Sequence, residues 1–268
     1  MTLADLLLIY AVLVGLVVGS YLNVVVHRLP RGISTVAPRS RCPVCGTPIR
    51  AIDNLPVLSF LLLQGRCRRC GSPISWRYPL VEATTGALFG ACFVRFGASP
   101  SAFAAAVFVS LLLALALIDG EHYLLPDRLT YPGIAAGILL QPLTSWAQIG
   151  PGAWGSLAGG LVGAAAGAGL LAAIWGAWYL VRREEGMGLG DLKMNAMIGA
   201  FLGWKGMLVA FLVAVAIGSV VGLSAVVAGR LKLRSKLPFG VFLALGGVVA
   251  LFAGAPLARW YGGLLGSP

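Results

Sequence analysis

Two aspartates lie at the edges of long apolar runs, in a chain that is 59% hydrophobic and has only 9 acidic residues. Asp119 ends the apolar run 101–118, and Asp191 follows the alternating glycines Gly186, Gly188 and Gly190. A carboxylate at the edge of a membrane span is unfavourable to keep, so both aspartates are candidates for a functional role. The glycines let the backbone approach another chain closely and adopt angles that a side chain would forbid.

The chemistry open to these two aspartates depends on whether the fold brings them together. Two close carboxylates cannot both ionise easily, so they share a proton. One then acts as a base toward a water molecule, and the other acts as an acid toward the scissile amide. We therefore predict an aspartic protease mechanism. The motifs H-E-x-x-H and G-x-S-x-G, which indicate zinc and serine hydrolases, do not occur in the sequence.

Helix capping is the alternative role for an aspartate near the start of a helix. Asp127 follows Pro126 and precedes an apolar run. Because aspartate readily accepts hydrogen bonds from the first-turn amides, we predict that Asp127 is a cap. Asp191 could also cap the helix that follows it, and its spacing leaves this alternative open. Asp119 lies at the C-terminal end of its apolar run, where the helix dipole disfavours a negative charge, so capping does not explain it.

Four cysteines in the long polar segment 27–79 form two pairs with the pattern C-x2-C-x21-C-x2-C. The pairs are Cys42 with Cys45 and Cys67 with Cys70, and each is followed by a glycine. This spacing is close to that of zinc ribbons, in which two tight turns each present two thiolates to a tetrahedral metal. We predict structural zinc, with a redox pair or unrelated cysteines as alternatives. Four protein ligands leave no open position on the metal, so a hydrolytic zinc is not expected.

Membrane helices must position all of these residues. The mean hydropathy is +0.90, and several apolar runs approach the ~20 residues that cross a bilayer as a helix. Continuous runs favour helices over the alternating segments of a membrane barrel. We predict an all-α polytopic membrane protein with about eight transmembrane helices and a small zinc-ribbon-like loop domain. The predicted spans are 3–26, 80–97, 101–118, 129–148, 156–181, 192–204, 206–229 and 238–264.

The distribution of charge gives the predicted topology. Eight crossings place the segments 27–79, 119–128, 182–191 and 230–237 on one side, together with most of the 20 Lys and Arg residues. By the positive-inside rule this side is cytoplasmic, so we expect both aspartates on the cytoplasmic face of the membrane. A net charge of +11 would suggest nucleic acid as a partner of a soluble protein. Here the charge follows the topology, and we expect no nucleic-acid partner.

Several stretches of the sequence together carry a resemblance to a known family. They are Gly19 to Pro30, the two cysteine pairs, Asp53 to Ser59, Arg77 to Glu82, Asp119 to Asp127, Gly188 to Asp191 and Leu237 to Gly240. Through them the chain resembles the type IV prepilin peptidases, membrane aspartic proteases of the bacterial inner membrane with a Gly-x-Gly-Asp motif. The resemblance covers nearly the whole chain and implies three parts: a first transmembrane helix (1–26), a cytoplasmic zinc-binding loop (27–79) and a membrane-embedded peptidase domain (80–268). Val241 is a departure, because many members have proline there.

The resemblance implies that Asp119 and Asp191 are catalytic and that Gly188, Gly190 and Asp127 belong to the supporting motif. It also implies a second activity, in which the newly exposed N-terminus is methylated from S-adenosylmethionine. The residues that bind this methyl donor cannot be named from spacing. The implied substrates are prepilin and pseudopilin precursors with a short basic leader, a glycine before the cut and an apolar helix after it. Such a leader would suit an acidic patch, for which the candidates are Glu121, Glu184 and Glu185.

Two other classes of function compete with a peptidase. Paired membrane carboxylates also serve proton-coupled transporters, although both aspartates lie at one membrane edge and no inverted repeat is evident. A noncatalytic zinc-bearing factor for secretion or pilus assembly is the other alternative. The glycines before Asp191 are a weak match to a nucleotide-binding loop, because such loops follow a strand and these follow a predicted membrane helix.

Overall fold

The computed structural model describes residues 1–144, 156–183, 188–229 and 237–264. Within these ranges the chain is helical, and the only β pairing is two isolated bridges, Arg41 with Pro48 and Arg66 with Pro73. The predicted all-α architecture is therefore confirmed. The helices are α1 (Leu3–Arg28), α2 (Leu58–Leu62), α3 (Arg77–Phe96), α4 (Pro100–His122), α5 (Asp127–Leu140), α6 (Leu157–Arg182), α7 (Leu189–Val227) and α8 (Phe239–Leu264).

Four helical segments in the described part of the chain are long and apolar enough to cross a membrane. They are Leu3–Arg31, Pro100–His122, Leu157–Arg182 and Leu189–Val227. The predicted number of about eight spans is not established on this criterion. The fourth predicted span, 129–148, is not one continuous α-helix, because α5 ends at Leu140 and a 3-10 turn, Gln141–Leu143, follows. Its last four residues, 145–148, lie outside the described residues. Pro142 lacks the N–H that would continue the α-helical hydrogen bonding.

The 39-residue helix α7 reverses direction at Gly203. Gly203 has φ 70° and ψ 171°, a conformation that favours glycine. Nδ2 of Asn195 lies 3.5 Å from Sδ of Met207, although a straight helix would place residues so far apart in sequence about 18 Å apart. The helix therefore folds back on itself. The turn lies near the boundary between the predicted spans 192–204 and 206–229.

The chain divides into two compact units, and the first comprises Met1–Ala102. Here α1 packs against α3 through small residues. A Cβ added to Gly15 would lie 2.8 Å from Cβ of Phe89, and one added to Gly19 would lie 2.7 Å from Cα of Glu82. Buried Asn23 lies at the same interface, where Nδ2 donates hydrogen bonds to the carbonyls of Gly19 and Tyr78. Close packing of this kind is typical of helix pairs in membranes.

The second unit, Phe103–Pro268, has its core along α4 and the first half of α7. Gly163 of α6 meets α7 so closely that an added Cβ would lie 2.0 Å from the carbonyl oxygen of Gly199. One turn along, a Cβ on Gly167 would lie 2.4 Å from the carbonyl oxygen of Asn195. The glycines that recur in α6 therefore bring the backbones of α6 and α7 into direct contact. The large, fully buried side chains of the core include Phe108, Leu112, Leu115, Ile118, Met194, Met197, Ile198 and Phe201.

Candidate active site

Asp119 lies in the last turn of α4 and is buried, with 6% of its surface exposed. Its carboxylate interacts with the backbone N–H groups of Gly240 and Val241. These groups belong to the first turn of α8, where N–H groups have no partner within the helix and the dipole favours a negative charge. A Cβ added to Gly240 would lie 2.8 Å from Oδ2 of Asp119, so only glycine leaves room for this approach. Oδ2 itself has no hydrogen-bond partner in the described part of the chain.

Asp191 lies in the first turn of α7, three residues after Gly188, which is the N-cap. The N-cap position belongs to Gly188, so Asp191 is not the N-cap residue of this helix. The charge of Asp119 acts on Asp191, which means that the structure brings the two predicted carboxylates within electrostatic range of each other. Gly190 directly precedes Asp191 and Gly188 lies three residues before it, whereas the earlier Gly186 lies outside the described residues.

Leu125 lies between the N-terminus of α7, which carries Asp191, and the N-terminus of α8, which contacts Asp119. A Cβ added to Gly190 would lie 2.9 Å from Cβ of Leu125, and one added to Gly240 would lie 3.1 Å from Cδ2 of the same side chain. Leu125 is therefore wedged between the N-termini of α7 and α8, and it is buried. Sequence reasoning missed this residue, since an apolar side chain in a short loop carries no chemical signal.

Asp127 does not have the capping role that we predicted from its position. The helix α5 begins at Asp127, the preceding cap residue is Pro126, and no side-chain hydrogen bond caps the helix. Instead, the carboxylate of Asp127 forms an ion pair and hydrogen bond with Nζ of Lys193 on α7. The same ammonium group lies 5.2 Å from the ring centroid of Tyr131. In the first turn of α5, the N–H of Leu129 donates to the carbonyl of Pro126.

The four predicted cysteine ligands form one cluster in the first unit. The Sγ atoms of Cys42, Cys45, Cys67 and Cys70 all lie within 4.8 Å of one another. The distance between Sγ of Cys42 and Sγ of Cys70 is 3.8 Å. Tetrahedral zinc with bonds of about 2.3 Å to sulfur also places its sulfur ligands about 3.8 Å apart. The donor set and its geometry therefore fit a tetrahedral metal ion.

Two equivalent turns build this cluster. In the first, the N–H of Cys42 donates to the carbonyl of Thr47 and the N–H of Gly46 donates to the carbonyl of Cys42. In the second, Cys67 donates to Ser72 and Gly71 donates to Cys67 in the same pattern. Gly46 and Gly71 have φ of 69° and 70°, which explains the glycine after each pair.

Groups from both turns stabilise the thiolate form of Cys42. Hydrogen bonds from the backbone of Cys45, the hydroxyl of Ser72 and the backbone of Val44 lower the pKa of this thiol to about 6. The thiolate is the form that binds metal ions. Most of the Cys42 side chain is therefore in the metal-binding thiolate form at neutral pH.

Of the three glutamates predicted to form an acidic patch, one lies in the part of the chain that the structure describes. Glu121 is exposed and lies two residues after Asp119, with one carboxylate oxygen 3.9 Å from Nε2 of His122. Glu184 and Glu185 lie outside the described residues. The fifth cysteine, Cys92, is buried within α3, where it packs as a small apolar residue.

Comparison with known families and proteins gives consistent matches over most of the chain. Residues 13–96 match the family described as "Bacterial Peptidase A24 N-terminal domain". Residues 106–223 match the "Type IV leader peptidase family". The second match includes Asp119, Asp191 and most of the helices α4 and α7 that carry them.

Curated relatives with the name "Prepilin leader peptidase/N-methyltransferase" match nearly end to end. One from Burkholderia pseudomallei (strain 1026b) is 41% identical, over 96% of this chain and 88% of the relative. One from Bacillus subtilis (strain 168) is 39% identical, over 92% and 94%. One from Aeromonas hydrophila is 37% identical, over 93% and 91%. No solved structure matches the chain significantly.

Proposed function

The chain belongs to the type IV leader peptidase family, and we propose that it is a membrane aspartic endopeptidase that cleaves the leaders of prepilins and pseudopilins. The observation that carries this proposal is the convergence of Asp119 and Asp191 at helix ends of the second unit. The names of the relatives supply the substrate class. A transporter or a noncatalytic assembly factor is not favoured, because neither is among these names.

The proposed reaction uses one ionised and one protonated carboxyl group. The ionised carboxylate takes a proton from a water molecule, whose oxygen attacks the carbonyl carbon of the scissile peptide. The protonated partner donates its proton to the leaving nitrogen as the carbon–nitrogen bond breaks. The N–H groups of Gly240 and Val241 favour the ionised form of Asp119 electrostatically. On this basis Asp119 is the base and Asp191 the acid in the first step.

The proposed setting is a bacterial inner membrane crossed about eight times, with the aspartates on the cytoplasmic side. The reversal of α7 at Gly203 supports separate sixth and seventh spans. The substrate helix would lie in the membrane, with its basic leader at the cytoplasmic face near Glu121. This topology follows the positive-inside rule.

For the cysteine cluster we propose one structural zinc ion held by Cys42, Cys45, Cys67 and Cys70. The fit of the sulfur distances supports this assignment, and the four ligands leave no position for a substrate. When bound, the ion joins the two cysteine turns into one folded loop. Its binding energy then contributes to the folding of the loop.

We propose methylation of the new N-terminus as the second activity, with S-adenosylmethionine as the methyl donor. The names of the relatives support it. The donor carries a methyl group on a positively charged sulfur, which makes that group transferable to an amine. The chain contributes the site that holds the donor and the cleaved substrate.

One experiment tests both activities. A prepilin is incubated with the purified protein and S-adenosylmethionine, and the products are identified by mass spectrometry. A product that lacks the leader establishes cleavage, and an additional methyl group on its N-terminus establishes methyl transfer. Intact prepilin as the sole product would contradict the proposal.

A further inference from the structure

Val57, in the first unit, has a strained backbone. Its φ of 59° and ψ of −49° are unusual for any residue with a side chain, and most of all for a β-branched one. The N–H of Leu58 donates to the carbonyl of Pro56, so the three residues form a γ-turn of the rare positive-φ type. Strain of this kind persists only where the surroundings enforce it, and it is frequent at functional sites.

A buried carboxylate holds this turn from the side of α3. Oε2 of Glu82 accepts a hydrogen bond of 2.7 Å from the N–H of Val57. Glu82 is only 8% exposed, and its backbone packs directly on Gly19 of α1. The other interaction partner of the carboxylate is the hydroxyl of Ser20. Both partners are neutral, and no ion pair reaches Glu82 among the residues that the structure describes.

The cysteine cluster holds the same segment from the other side. Arg68 lies between Cys67 and Cys70 in sequence. Its guanidinium donates hydrogen bonds to both carboxylate oxygens of Asp53, with distances of 2.7 to 3.1 Å. Asp53 belongs to the 3-10 turn Ala51–Asn54, directly before the strained γ-turn. The segment from Asp53 to Leu58 is therefore fixed between the metal-binding turns and the membrane helices of its own unit.

The peptidase mechanism uses none of these residues. The charged form of a buried carboxylate without a counter-ion is unfavourable, and a cation that binds next to it stabilises that form. The proposed methyl donor is such a cation, since its sulfonium group has a permanent positive charge. The negative charge of the Glu82 carboxylate therefore matches the positive charge of this ligand.

We propose that Glu82 and the γ-turn at Val57 form part of the methyl-donor site, with the carboxylate of Glu82 facing the sulfonium group. This inference rests on the proposed methyl-transfer activity. The proposal explains why the strained γ-turn is held in place on both sides, because a ligand site needs a fixed backbone next to the carboxylate. The cysteine cluster then also has a role, because it fixes the position of the γ-turn through the contact between Arg68 and Asp53.

The substitution Glu82→Gln removes the negative charge of residue 82 but keeps an oxygen atom that can accept a hydrogen bond. An amide oxygen can still accept from the N–H of Val57, so the turn keeps its support. The probes are S-adenosylmethionine and S-adenosylhomocysteine, whose sulfur is uncharged. We expect Glu82→Gln to weaken binding of S-adenosylmethionine on the order of 10- to 100-fold, as for the loss of a charged partner. Binding of S-adenosylhomocysteine should change much less.

Calorimetry on the full-length protein in detergent measures both affinities, and mass spectrometry measures cleavage and methylation. Asp5→Asn is the control, because Asp5 is an exposed carboxylate in the capping box of α1. Metal content and thermal stability verify that the variants are folded. If the wild type methylates and Glu82→Gln binds S-adenosylmethionine as tightly as the wild type, the assignment of Glu82 is wrong. If the wild type neither binds the donor nor methylates, the proposed second activity itself is wrong.

Discussion

Lys193, two residues after Asp191 on α7, forms an ion pair with Asp127 at the start of α5. The pair links the helix of one proposed catalytic carboxylate to the loop whose Leu125 contacts Gly190 and Gly240. The side chain of Asp127 is 57% exposed and that of Lys193 is 21% exposed. The pair therefore steadies the site from its solvent-facing edge.

We predict that Asp127→Asn reduces cleavage by less than about tenfold. Partly exposed ion pairs contribute about 0.2–1 kcal/mol, and a tenfold change in rate needs about 1.4 kcal/mol. Initial rates of prepilin cleavage in membranes give the comparison with the wild type. A complete loss of activity in a variant that inserts normally would show that Asp127 takes part in the reaction itself.

Two glycines of α6 provide a matched test of helix packing. Gly163→Ala would place a Cβ 2.0 Å from the carbonyl oxygen of Gly199, whereas an added Cβ at Gly169 meets nothing within 4 Å. We expect Gly163→Ala to destabilise the protein by about 1–3 kcal/mol or more, since the backbones of α6 and α7 must separate. Gly169→Ala should be neutral or stabilise it by up to about 1 kcal/mol, because alanine favours a helix. Thermal unfolding in detergent distinguishes them, and equal effects would contradict the packing.

The cysteine cluster predicts one bound metal ion in each chain. Replacement of any one of Cys42, Cys45, Cys67 and Cys70 by serine should release it, because the remaining three ligands no longer close the tetrahedral site. Elemental analysis of protein purified under reducing conditions measures the metal. Cys92→Ser is the control, since Cys92 lies buried in α3 away from the cluster. A wild type without zinc would rule out the proposed metal site.

The two activities should respond differently to substitution in the two units. We expect Cys67→Ser combined with Cys70→Ser to reduce methylation more than cleavage, because the cysteine turns hold the segment next to Glu82. Asp119→Asn should leave methylation of a pre-cleaved pilin intact. Mass spectrometry measures both products in the same sample. Equal loss of both activities in the cysteine variant would mean that the loop supports the whole enzyme and has no separate role.

Much of this arrangement is predictable from the sequence, because hydrophobic length and ligand spacing are local signals. The helices follow from the apolar runs, and the cluster of four thiols follows from the cysteine pattern. The reversal of α7 at Gly203 is also near its predicted place, since glycine and the following polar Lys205 interrupt the apolar run. These features need no knowledge of tertiary contacts.

The partners of the charged groups are not predictable in this way. Asp127 and Lys193 are 66 residues apart, and Val57 and Glu82 are 25 apart. Each pairing depends on how helices pack, which composition and spacing do not specify. The capping prediction for Asp127 was wrong because it used only the neighbouring residues. The partner of this carboxylate, Lys193, is distant in sequence and close only in the folded chain. The contact between Gly240 and Asp119 is equally unpredictable from the sequence, although the stretch Leu237 to Gly240 is part of the family resemblance.

The most direct test of the two-carboxylate site is the cleavage of a prepilin by Asp119→Asn and Asp191→Asn, measured by mass spectrometry in membranes that contain equal amounts of each variant. Asp127→Asn is the matched control for the change of a carboxylate to an amide. Because each catalytic substitution removes one partner of an acid and base pair, we expect each to reduce cleavage by about 100- to 10,000-fold. Cleavage at a near-normal rate by either variant would contradict the account.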